Sequence, residues 1–127
     1  MSVPRISKDD LKLRLDDAAG DAPVIVDARL KYPYEHSTMT LPGALRVAPE
    51  SIAASLGDGT LPRDRQIVVY DSDPDDMVSE RIVAQLLARG YRAVVLQGGI
   101  ADWAAAKFPT DSKPAPQPAS PPGAQKG

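Results

Sequence analysis

Hydrophobic positions along this chain fall into short blocks whose spacing alternates between the period of a helix and that of a strand. Leu11 and Leu15 lie one helical turn apart, and Ser7 with Asp10 three residues later forms a capping-box pattern ahead of them. The spacing predicts a helix over Ser7–Ala18, ended by Gly20 and Pro23. Val24-Ile25-Val26 is too short for a helix and rich in β-branched residues, as a buried parallel strand would be. From Arg29 to Pro42 no period is visible and Pro33 and Pro42 interrupt the segment, which reads as a long surface loop before a short strand at Leu45–Val47. Pro49-Glu50-Ser51 opens a short helical stretch through Leu56, closed by Gly57-Asp58-Gly59. Ile67–Tyr70 reads as the central strand. Val78, Ile82, Val83 and Leu86 then recur at helical spacing, with Gly90 as the stop. Ala93–Leu96 is the last strand, Gly98-Gly99 a turn, and Ile100, Trp103 and Ala104 mark the apolar face of a final helix.

Strands alternating with helices imply an α/β fold: a mostly parallel central sheet flanked by helices on both faces, in three layers. A chain of 127 residues buries one hydrophobic core but hardly two. The packing pattern therefore belongs to one domain, read as residues 1–109. Past Phe108 the composition turns to Pro, Ala, Ser, Gln, Lys and Gly, too poor in apolar surface to offset the entropy of ordering, so 110–127 reads as a disordered tail or linker.

A formal net charge of -2 offers no electrostatic footprint for nucleic acid or an anionic membrane, so neither is an expected partner. The apolar runs are far shorter than the roughly 20 residues that span a bilayer, and no membrane insertion is expected. Met1–Asp10 is polar without an apolar core of the kind a secretory signal carries, which makes a cytoplasmic address the expectation. The absence of cysteine is the most informative count, because it removes disulfides, thiolate metal sites, thiol nucleophiles and persulfide carriers together.

Four segments, in order, resemble the rhodanese-like domain family over roughly Ile6–Phe108. Val24-Ile25-Val26-Asp27-Ala28-Arg29 is similar to the family's strand ending in Asp-x-Arg, and Leu41-Pro42-Gly43-Ala44-Leu45-Arg46-Val47 to its Pro-Gly-Ala segment. Ile67-Val68-Val69-Tyr70 leads into the position of the active-site loop, and Leu96-Gln97-Gly98-Gly99-Ile100-Ala101-Asp102-Trp103 resembles the closing Gly-Gly-x-x-x-Trp. The resemblance implies the rhodanese-like three-layer fold. It also places the family's catalytic cysteine directly after the central strand, where this chain has Asp71. In an active member a thiolate there attacks a sulfane donor such as thiosulfate, and loop amides with the helix N-terminus hold the persulfide. A carboxylate fills an anion site but carries no sulfane sulfur. The resemblance thus implies the fold of thiosulfate sulfurtransferases with no catalytic residue and no cofactor. Asp71 is either a natural divergence or an engineered replacement.

The loop Asp71-Ser72-Asp73-Pro74-Asp75-Asp76-Met77 is similar to rhodanese modules with a Cys-x-Cys-Pro loop, aspartates standing at both cysteine positions. Such modules also occur fused to membrane proteins, so the chain could be a soluble domain of a larger protein. Its carboxylates suit a helix N-terminus, capping amides and facing the dipole. Asp71, Asp73 and Asp75 are candidate ligands for a hard divalent cation, but their spacing matches no complete ligand set, and no metal is expected. Apolar strand followed by Asp-x-Asp also resembles the first motif of haloacid-dehalogenase-type phosphatases, giving the alternative of a metal-dependent phosphohydrolase with Asp71 as nucleophile and Asp73 as general acid. Asp75 and the Gly-Gly-x-x-x-Trp ending depart from that family.

Asp27 and Arg29 stand on the sheet edge where α/β folds bind ligands and are candidates for the pocket edge, though a structural ion pair including Arg46 is the simpler role. His36 has no second ligand near it in sequence and reads as solvated, Tyr32 and Tyr34 as rim, Trp103 as core. The functional expectation is a catalytically inactive rhodanese-like domain serving as an interaction or regulatory module. Its partner, an unknown protein or small ligand, would bind at Asp71–Met77.

Overall fold

The computed structural model describes residues 3–17, 22–57 and 59–113. Five parallel strands form the main sheet: β1 (Arg5–Ile6), β2 (Val24–Asp27), β4 (Leu45–Arg46), β5 (Gln66–Tyr70) and β6 (Arg92–Leu96), in the order β1-β6-β5-β2-β4. The middle position of β5 explains its composition, since a strand paired on both edges and covered on both faces has no solvent side. Its Ile67, Val68, Val69 and Tyr70 are all buried.

Alternation along the strands divides the core in two. Ile67 and Val69 join Val26 and Val95 against Ile52 and Leu56 of α3 (Ile52–Gly57) and Ile82, Val83 and Leu86 of α4 (Met77–Ala88). Val68 and Tyr70 point the other way, with Ile25 and Leu96, onto Leu11 of α1 (Lys8–Asp16) and Ile100 and Trp103 of α5 (Gly99–Ala105). The period of two in the strands thus meets helix stripes on both faces. Ser7 caps α1, its hydroxyl accepting from the Asp10 amide. This helix ends at Asp16, and Ala18, the last residue of the expected helix, lies outside the described residues together with the Gly20 stop. Gly98 lies in a turn, as expected, and caps α5, whose first residue is Gly99.

The segment Arg29–Pro42, expected as a loop, instead contains α2 (Lys31–His36) and β3 (Met39–Thr40). Pro33 is compatible with α2 because it sits in the first turn, where backbone N–H groups lack intrahelical partners. The helix buries none of its residues, so it writes no apolar period into the sequence. Strand β3 pairs antiparallel with β7 (Asp111–Ser112), and Asp111 also accepts from the Gly43 amide at 2.8 Å. The segment read as tail from Thr110 therefore begins with a strand; its remainder, 114–127, lies outside the described residues. No helix among the described residues is long and apolar enough to cross a membrane.

Candidate ligand-binding loop after the central strand

Asp71 follows β5 at the carboxyl end of the parallel sheet, the edge at which open α/β sheets bind ligands. Its side chain is turned into the loop and almost wholly buried, 1% exposed. Oδ2 accepts from the Ser79 amide at 2.6 Å and the Ser79 hydroxyl at 2.8 Å, and Oδ1 accepts from the Asp73 amide at 2.8 Å. Charge-assisted bonds of this kind offset part of the cost of taking a carboxylate out of water. Ser79 lies in the first turn of α4, so its amide is one of the donors that a helix leaves without a backbone partner. Asp73 serves a second such donor, accepting from the Met77 amide at 3.0 Å and from the Asp75 amide at 3.3 Å.

The loop rests on the Gly-Gly turn. The Ile100 amide donates to the Asp71 carbonyl at 3.2 Å, and Gly99, at φ +57°, lies so close that a Cβ there would stand 2.2 Å from that oxygen. Glycine is needed at 99 for both the left-handed backbone and the contact.

Asp76 occupies the N-cap position of α4 in a left-handed conformation, φ 57°, but its side chain does not cap the helix. It reaches across to β1 and the glycine turn instead, accepting from Arg5 Nη1 at 3.2 Å and the Gly98 amide at 3.1 Å. Arg5 pairs with Glu80 as well. The other oxygen of Asp76 is buried without a hydrogen-bond partner. Burial, opposed by the Gly98 amide and reinforced by the charge of Asp71, raises its pKa above the ordinary carboxylate range despite Arg5.

Beside the loop lies a cleft of about 350 Å3, lined by Leu30, Pro33, Asp71, Ser72, Asp73 and Val78. Of the expected site residues, Asp71, Ser72 and Asp73 meet there; Pro74, Asp75 and Met77 are exposed outside its lining, and Asp76 is buried but does not line it. Among the described residues no three carboxylate, histidine or cysteine side chains converge as ligands for a metal, Asp71, Asp73 and Asp75 included. Leu30 and Pro33 escaped the sequence reading because they come from the segment taken as featureless, and Ser79 because nothing local links it to Asp71.

Asp27 and Arg29, candidates for the pocket edge, do not line the cleft; they form a buried ion pair. Arg29 Nε and Nη2 bind the carboxylate at 3.0 and 2.7 Å, while Nη2 also donates to the Met39 carbonyl. Burial works to lower the Arg29 pKa, yet the hydrogen bond and charge of Asp27, joined by Tyr70 and Tyr34, outweigh it and the net shift is upward. Arg46 completes the group, 3.7 Å from Asp27 and donating to the Arg29 carbonyl. Tyr34 stacks on this cluster, with Arg46 4.0 Å and Arg29 5.4 Å from its ring, whereas Tyr32 is exposed. His36 is exposed, 6.3 Å from the Tyr32 ring. Trp103 is fully buried, its indole donating to the Pro109 carbonyl at 2.7 Å.

A parallel sheet with helices on both faces, a loop wrapped around one residue after its central strand, and a glycine pair supporting that loop define the rhodanese class of fold. The family model described as Rhodanese-like domain matches residues 7–106, and the chain belongs to that family. No curated protein matches it. Solved structures share the fold. A full-length protein from Lactobacillus plantarum is 22% identical, with TM-score 0.76, covering 86% of this chain and 88% of its own. A rhodanese-like domain protein from Staphylococcus aureus is 22% identical, with TM-score 0.67, covering 79% and 90%. A Rhodopseudomonas palustris protein of unknown function, described as a possible tyrosine phosphatase, is 17% identical, with TM-score 0.74, covering 86% and 85%.

Proposed function

We propose that this domain carries out no persulfide sulfurtransfer and acts as an interaction or regulatory module, with the Asp71–Met77 loop as its binding element. One observation carries the reading: the carboxylate of Asp71 takes up the Ser79 amide, the Ser79 hydroxyl and the Asp73 amide. In a sulfurtransferase of this fold the residue after the central strand must be a thiolate with free access to a donor. Here the chain has no thiol to load, and the group in that place is buried and bonded. A cytoplasmic address goes with the reading, as does a larger parent protein in which the module serves a neighbouring domain.

The test is cyanide-dependent formation of thiocyanate from thiosulfate. Turnover at the level of the buffer blank is expected; saturable turnover proportional to protein would overturn the proposal.

The phosphohydrolase alternative draws support from the description of one structural neighbour as a possible tyrosine phosphatase. It ranks second because a nucleophilic carboxylate needs an open path to phosphorus, and Asp71 is 1% exposed with both oxygens engaged. Magnesium-dependent phosphate release from an aryl phosphate, lost in Asp71→Asn, would reverse that ranking.

A further inference from the structure

The cleft beside the loop has apolar walls and an acidic lining. Leu30, Pro33 and Val78 supply carbon, Asp71 and Asp73 supply negative charge, and no lysine or arginine is among the lining residues. Arginines at this end of the sheet are committed elsewhere: Arg29 is 2% exposed against Asp27, and Arg5 bridges Asp76 and Glu80. Lys31 lies 5.6 Å from the Tyr32 ring and does not line the cleft. Five donors around the loop are also taken. Asp71 uses three of them, and Asp73 holds the Asp75 and Met77 amides. An anion entering here is opposed by the field of two carboxylates, Asp73 and the buried Asp71, whereas a cation meets complementary charge. Exposed apolar side chains adjoin the lining residues along the chain: Leu30 and Met77 are each 53% exposed and Tyr32 is 65% exposed. A lone small cation would leave that surface wet.

We propose that this cleft binds an extended segment of a partner protein that presents a lysine or arginine between apolar side chains. The inference rests on the reading of the domain as a binding module and gives that module its ligand chemistry. A cavity of about 350 Å3 is at the small end of binding pockets, suited to one anchoring side chain with its neighbours lying on the exposed apolar rim.

Four fluorescein-labelled heptapeptides test it, each with two leucines flanking a central arginine, lysine, glutamine or glutamate. Anisotropy titrations are paired with amide chemical-shift mapping on the full chain. The arginine and lysine peptides are expected to bind about tenfold more tightly than the glutamate peptide and to shift the Ser72, Asp73 and Val78 amides. Ser72→Lys, at an exposed lining position, places a cation in the cleft without touching the capping bonds and is expected to cancel or reverse that preference. Equal or tighter binding of the glutamate peptide, shifts confined to another face, or no binding by any of the four would overturn the proposal. Those outcomes leave the absence of thiosulfate turnover intact, while turnover would remove the parent reading whatever the peptides do.

Discussion

Two neighbouring strand ends each bury an aspartate, and they neutralise it by different means. At the end of β2, Asp27 is gripped by the Arg29 guanidinium, with Arg46 nearby. Beyond the end of β5, which pairs with β2 in register at Asp27 and Tyr70, Asp71 is held by two amides and a hydroxyl. The first arrangement cancels charge and is structural. The second stabilises a carboxylate with neutral donors, so the negative charge stays and the adjoining cleft inherits it. Asp76 is a third case: one oxygen satisfied by Arg5 and Gly98, the other left without a partner.

The comparison predicts unequal consequences of mutation. Arg29→Ala has the largest effect, since it strands the Asp27 carboxylate in the core; a loss of about 3–5 kcal/mol is expected from urea denaturation. A loss below about 1 kcal/mol would mean that Arg46 suffices as the partner. Next comes Gly99→Ala, which drives a methyl into the Asp71 carbonyl at a left-handed backbone position. It should cost about 2–4 kcal/mol and broaden the amide signals of the Asp71 loop. Wild-type stability with sharp signals would show that the glycine turn does not brace the loop.

Asp76→Asn has the smallest effect and the opposite sign. Because the folded pKa of Asp76 is raised above its unfolded value, the native state holds the extra proton, and stability falls as pH rises through that interval. Asparagine cannot ionise, tolerates a left-handed backbone well, and keeps an acceptor for Gly98. The variant should therefore be more stable than wild type at neutral pH, a gain that shrinks as the pH drops below the ordinary carboxylate range. A variant less stable than wild type at neutral pH would show that the Arg5 ion pair outweighs the burial cost.

Much of this fold was legible because its elements obey simple periods. Val78, Ile82, Val83 and Leu86 announce α4, and the β-branched runs announce β2 and β5, since each buries a regular face. Elements that bury little were not legible: α2 has no buried residue, and β1, β3 and β7 are two residues each with no flanking motif, whereas the equally short β4 was marked by the Pro-Gly-Ala segment before it. At the site, the place of Asp71 and its fit to an anion cradle could be read from the order of segments. Its bond to Ser79 and the pressure of Gly99 on its carbonyl could not, because both depend on how the loop folds back on itself. Of the two roles read for Asp27 and Arg29, pocket edge and structural ion pair with Arg46, the ion pair is the one the fold builds. A charge at the ligand edge of a sheet looks the same in sequence whether it faces a ligand or its own neighbour.

The central claim, that the Asp71 carboxylate fills the loop and occupies its donors, is most directly tested by hydrogen exchange of the Ser79 amide in wild type and in Asp71→Ala. Strong protection in wild type, lost in Asp71→Ala and retained in Asp75→Ala, is the expected result. Protection unchanged by removal of the Asp71 carboxylate would contradict the account, because the donor would then be held by something else.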